Sequence, residues 1–219
     1  MEHLIPTQFL FLVDLAVFLL IVLMHLAKQS RPFVYLYAVQ SVLIASLMIY
    51  SAILDRSISL GFLAILILGI KVFAAPAFFL KLIKRQALQM SPNNYLNLPL
   101  TLTCIAIITT IAHSRFFQPL TTLAPANENA LYICIASMFI SLFLIINRKG
   151  ALSQMIGILS LENAIVSFVL AAGLGQGLGL ELGITFDIAV WIIVATVFVS
   201  IIYKKFHTTD VSAMTNLKG

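Results

Sequence analysis

The sequence predicts an all-α polytopic membrane protein of about seven transmembrane helices, amino terminus periplasmic and carboxy terminus cytoplasmic, on three observations. Of the 219 residues, 61% are hydrophobic and only 10% charged, against roughly 45–50% and about 25% in soluble domains. The apolar residues gather into runs long enough to cross a hydrocarbon layer of about 30 Å. The basic residues fall mostly between those runs and favour one side. A mean hydropathy of +1.07 excludes a soluble globular enzyme and leaves no room for a sizeable water-exposed domain.

Runs bounded by charge or turn residues place the spans at roughly 8–27, 33–54, 59–82, 97–113, 129–147, 151–174 and 181–203. The first has no basic segment ahead of it and no cleavage signal, and it holds an aspartate, so it reads as a retained span rather than a signal peptide. The fourth is the shortest. Pro92–Asn94 and Thr122–Asn129 punctuate the longest connections. Gly173, Gly175, Gly177 and Gly179 read as a tight turn between the last two spans; a phosphate loop would need a following Lys-Ser/Thr.

An outside amino terminus puts Lys28, Arg31, Lys81, Lys84, Arg85, Arg148, Lys149, Lys204, Lys205 and Lys218, ten of the thirteen basic residues, in cytoplasmic connections. Arg56 and Arg115 lie outside and Lys71 within a span. The excess of positive charge is therefore a topology signal and implies no nucleic-acid partner. Spans one to three and five to seven share a rhythm of basic loops. They form a weak parallel repeat of residues 1–90 and 125–206, joined by the fourth helix at about 97–113.

Cys104 and Cys134 lie in apolar runs and read as small buried hydrophobes. His3, His25, His113 and His207 are scattered near span ends without metal-ligand spacing. Neither set implies a metal, a cofactor or catalytic chemistry in this chain.

Function is carried by the few polar residues inside the spans, because each ionised side chain at the bilayer centre costs about 2.5–3.5 kcal/mol. These are Asp14, Lys71, Glu162 and Asp187, with Gln40 as a neutral companion. At about 1.5 Å per residue, Lys71 and Glu162 share a depth of about 16–18 Å from the cytoplasmic ends, with Asp14 near 20 Å and Asp187 near 25 Å. Lys71 is too deep to reach the headgroups by snorkelling, and Glu162 is the partner its depth selects. Two desolvated groups of opposite type at one depth can trade a proton as either moves, so the pair can relay protons. The same pair can instead be interhelical glue that fixes how the bundle packs. Asp14 and Asp187 sit within reach of water near their span ends, and Gln40 reads as glue. Pro76 follows Lys71 by five residues, leaves the Val72 carbonyl free and predicts a kink. Ala64, Ala74 and Ala75 share the lysine's face and admit a close neighbour.

The stretches Gly157-Ile158-Leu159-Ser160-Leu161-Glu162-Asn163 and Gly183-Ile184-Thr185-Phe186-Asp187, with Asp210-Val211 and the ending Leu217-Lys218-Gly219, resemble hydrogenase-4 component E. That family comprises membrane subunits of group 4 nickel-iron hydrogenase and formate hydrogenlyase-type complexes. The likeness extends to Tyr37-Ala38-Val39-Gln40-Ser41 and to Lys71-Val72 through Pro76. The last three spans also look like the K subunit of bacterial complex I and the C subunit of multisubunit sodium/proton antiporters. There a glutamate on the middle helix serves proton transfer, and its position corresponds to Glu162; the second glutamate of the complex I subunit has no counterpart.

The resemblance implies a subunit of the bacterial inner membrane that holds no metal or other cofactor. Its partners would be antiporter-like and other membrane subunits, with a peripheral hydrogenase arm, in the surrounding lipid. Three alternatives stand beside it: a subunit of an antiporter-like complex without hydrogenase, a stand-alone secondary transporter of a small solute, and a structural anchor with no conducting role.

Overall fold

The computed structural model describes residues 6–54, 56–85 and 94–173. The expected seventh span at 181–203, Asp187, the glycines after Gly173, and Lys204, Lys205 and Lys218 lie outside the described residues. Within them the chain is helical, and five helices are long and apolar enough to cross a membrane: Thr7–Leu26, Ser30–Leu54, Ala64–Lys81, Pro125–Asn147 and Leu152–Ala171.

The elements are α1 (Thr7–Leu26), α2 (Ser30–Leu54), α3 (Ile58–Ile67), a π-helical segment (Leu68–Ala74), α4 (Ala75–Arg85), α5 (Leu98–Ala112), α6 (Gln118–Thr121), α7 (Glu128–Asn147) and α8 (Ala151–Ala171). α1, α2, α7 and α8 form the centre of the bundle; the α3–π–α4 span lies against α2, and α5 lies against α7. Leu12, Ile53, Ile65, Phe73 and Ile107 point outward, as a lipid-facing surface requires, because apolar residues on every face are stable only in hydrocarbon.

α5 has only 15 residues, about 22 Å of helix, less than a full crossing. It continues through a break into Arg115–Thr121 at a bend of 47°. The expected fourth span at 97–113 is therefore one arm of a bent pair. Asn97 caps α5 by accepting from the Leu100 amide at 3.1 Å. Inside the helix, Thr103, Thr109 and Thr110 donate to the carbonyls four residues back, so their hydroxyls are satisfied within α5 itself.

In the third span the turns ahead of Pro76 are π-helical. A regular α turn would press the Pro76 ring against the Val72 carbonyl; instead the helix widens ahead of the proline, and the Ala75 amide bonds to the Ile70 carbonyl five residues back. The wider turn also delays the buried stripe by a residue. Ala64, Ile67 and Lys71 are followed inward by Ala75, Phe79 and Ile83, while Ala74, expected on the lysine's face, is exposed.

α7 and α8 form a close hairpin. A Cβ added to Gly157 would stand 2.9 Å from Ile145 Cγ1 and 3.4 Å from the Ile145 amide nitrogen, so the absent side chain is what lets these helices touch. Gly173, at φ 64°, ends α8 in the left-handed conformation that glycine adopts without strain.

Candidate functional site: a buried ion pair and its polar surroundings

Four helices supply the site. Lys71 projects from the π segment and is 1% exposed. Two neighbouring residues of α8 receive its ammonium, Glu162 Oε1 at 3.1 Å and Asn163 Oδ1 at 3.0 Å. Asn163 then donates from Nδ2 to Ser41 Oγ of α2 at 3.0 Å. One residue earlier on α2, Gln40 donates from Nε2 to the Ser160 carbonyl at 3.3 Å. The Ser160 hydroxyl in turn lies 3.4 Å from that of Ser141 on α7. Tyr37, one turn before Ser41 and fully buried, sets its hydroxyl beside Ser41.

Local sequence explains the convergence. Ser160, Asn163 and Ser167 follow one another at helical spacing, so a single face of α8 carries a buried polar stripe. Tyr37, Gln40 and Ser41 do the same for α2. Among the described residues Lys71 is the cation between them, and it projects from the widened turn. Removing one member of a buried pair typically costs about 3–5 kcal/mol, because the survivor is left uncompensated.

The two partners differ in surroundings. Lys71 is sealed, whereas the Glu162 side chain is 20% exposed at the rim of the bundle. The pair thus joins a closed polar interior to the outer surface of the helices at mid-span depth. An acid in that position can give or take a proton on either side, and the buried amine supplies the counter-charge.

Of the residues singled out in the sequence, the fold gathers Lys71, Glu162 and Gln40 around this site, with the buried Pro76 one turn beyond the lysine. Asp14 stands apart and is not open to water as its position near a span end predicted: it is 1% exposed and accepts from the Ser167 hydroxyl. Cys134 reaches the same carboxyl, so its thiol is a polar neighbour as well as packing. α8 links the two places, since Ser167 lies one turn beyond Asn163. Asp187 lies outside the described residues.

Sequence reasoning missed four participants. Asn163, Ser41, Ser160 and Ser141 are neutral, and only their spacing on buried faces could have marked them. It also placed Arg148 in a connection as a topology charge. The structure buries Arg148 completely, with its guanidinium 4.8 Å above the Phe33 ring. There it donates to the carbonyls of Met24 and, at 3.2 Å, Ala27, so it caps the end of α1. Burial lowers this guanidinium to about 10, which leaves it cationic at neutral pH. Beside it, Tyr95 donates to the Asn147 carbonyl at 2.9 Å and Leu96 to Asn147 Oδ1 at 3.0 Å, strapping the α4–α5 connection onto the α7–α8 turn.

Fold and site together define a multi-span helical membrane protein with an ion pair embedded among its helices. Compared with known protein families, curated proteins and solved structures, the chain matches no family model, no curated protein and no structure.

Proposed function

We propose that this chain is a proton-conducting, non-catalytic subunit of a hydrogenase-4/complex I-like assembly in the bacterial inner membrane. It would cross seven times, amino terminus periplasmic and carboxy terminus cytoplasmic, beside antiporter-like subunits. Glu162 is the exchange site, Lys71 its counter-charge, and Asp14 and Asp187 serve the outer side. The observation that carries this reading is the 3.1 Å pair of Lys71 and Glu162 in mid-span, one partner sealed and the other at the rim. Charge placement supports the orientation: among the described residues, Lys28, Arg31, Lys81, Lys84, Arg85, Arg148 and Lys149 belong to one end of the bundle, and Arg56 and Arg115 to the other.

The stand-alone transporter fits less well. It needs a solute cavity between helices near the centre, with helices broken around it; among the described residues the groove of about 500 Å³ at the α2–α3 turn, lined by Ile49, Ile53, Ile58 and Ile65 with Arg56, lies on the surface instead and is almost wholly apolar. An inert anchor would hold the pair dry and closed, and here amides and hydroxyls continue away from it. An antiporter-like assembly without hydrogenase uses the same residues and differs only in its partners.

The test is Glu162→Gln in the intact assembly, reconstituted in vesicles with a pH-sensitive dye inside. The amide keeps shape and removes titration, so proton flux should fall by about a hundredfold, as expected when a positioned proton-transfer group is lost. Undiminished flux would remove the role assigned to Glu162. Co-purification with large antiporter-like subunits checks the partner half of the proposal.

A further inference from the structure

The polar groups around the ion pair continue toward the basic end of the bundle, where they end at a histidine. His25, one residue before the end of α1, is 1% exposed. Its ring stacks on Phe143 at 5.0 Å, and its Nε2 lies 3.1 Å from the Ile140 carbonyl. A carbonyl only accepts, so Nε2 carries the hydrogen and Nδ1 holds a bare lone pair. Nδ1 has no partner among the described residues.

The links from that ring to the lysine alternate between hydrogen bonds and neighbouring residues of one helix. Ile140 is followed by Ser141, whose hydroxyl meets Ser160. Ser160 receives Gln40, Gln40 is followed by Ser41, Ser41 receives Asn163, and Asn163 receives Lys71. The Gln40 Oε1 on this line is also buried without a protein partner. Buried polar atoms left in this state are where interior water binds.

We propose that His25 is the proton-exchanging group at the basic end of this file, passing protons between that aqueous face and the Lys71–Glu162 pair. The inference rests on the conducting role proposed for that pair. A proton arriving from the aqueous face binds at Nδ1 while Nε2 keeps its own on the Ile140 carbonyl, and the imidazolium then gives the Nδ1 proton to interior water that carries it on toward the pair. One proton enters, one leaves, and no electron moves. Among the described residues the charged group acting on His25 is Arg148, held on the Met24 and Ala27 carbonyls. Asn94 bonds the His25 carbonyl at 3.3 Å, from a segment outside the spans.

The experiment uses the intact assembly in vesicles with an internal pH dye, comparing His25→Gln and Glu162→Gln. Glutamine can still donate to the Ile140 carbonyl but cannot shuttle a proton. His25→Gln should lower flux by about a hundredfold and remove the histidine limb of its pH profile, with elution and melting temperature unchanged. His25→Ala should be slow as well and regain flux when imidazole is added, which keeps the test decisive should the glutamine variant fold poorly. Wild-type flux and pH profile in His25→Gln, with Glu162→Gln inactive, would overturn the entry role and leave the reading of Glu162 intact. Absence of imidazole rescue in a folded His25→Ala would also overturn it. Full activity in Glu162→Gln beside a slow, imidazole-rescued His25→Ala would overturn both the Glu162 reading and the delivery of His25's protons to that pair, leaving only the histidine's own proton exchange.

Discussion

At the scale of single residues, Lys71 has its ammonium held by two acceptors on α8, and each makes a different prediction. Lys71→Met leaves Glu162 without its counter-cation. The pH dependence of conduction should therefore change; an unmoved profile, measured as dye-reported flux across pH, would show that the pair is not coupled. Asn163→Ala removes two buried hydrogen bonds, to Lys71 and to Ser41, at about 1 kcal/mol each. The detergent-solubilised chain should melt several degrees lower, and Asn163→Asp should perturb conduction more than Ala does, since it adds a second acid beside the lysine. A melting temperature equal to that of the unaltered chain would mean the amide contributes nothing to packing.

At the scale of elements, the third span and the α7–α8 hairpin carry the geometry. The third span shows how one proline redirects a helix without breaking it: the turn before Pro76 widens, and Lys71 arrives on the inner face together with Ala75 rather than Ala74. The α7–α8 hairpin depends on Gly157. Gly157→Ala places a methyl against Ile145 and should destabilise the fold by about 1–3 kcal/mol, the usual cost of overpacking. Ile145→Ala made in the same chain should recover part of that loss, because the two sites are in direct contact and their effects do not add. Thermal unfolding of the four chains of this cycle measures the coupling. Simple additivity would show that the helices part more easily than their spacing suggests.

At the scale of the whole molecule, Arg148 ties three elements at one end of the bundle. Its guanidinium holds the last carbonyls of α1, Gln154 of α8 donates to its carbonyl at 2.8 Å, and Asn94 pairs with it as a single antiparallel bridge. Arg148→Lys keeps the charge but cannot fork onto two carbonyls, so it should not restore what Arg148→Met loses. Both variants should show faster proteolysis at the α1–α2 connection, with the lysine form closer to the methionine form than to wild type. Protection equal to wild type in the lysine variant would reduce the role of Arg148 to charge alone.

Composition and run length alone determine that this chain is helical and membrane-embedded, because a backbone in hydrocarbon must satisfy its own hydrogen bonds and a span must match the thickness it crosses. Depth counting also brings Lys71 and Glu162 to one level, since helical rise converts residue number into distance. What only the tertiary structure decides is azimuth and company. Which way Lys71 faces depends on a widened turn, the neutral Asn163 and Ser41 become site residues only because α2 and α8 meet there, and Arg148 goes inward because α1 ends beside it. The sequence records position along a helix; contact between helices is set by packing among residues far apart in the chain, which no local pattern encodes.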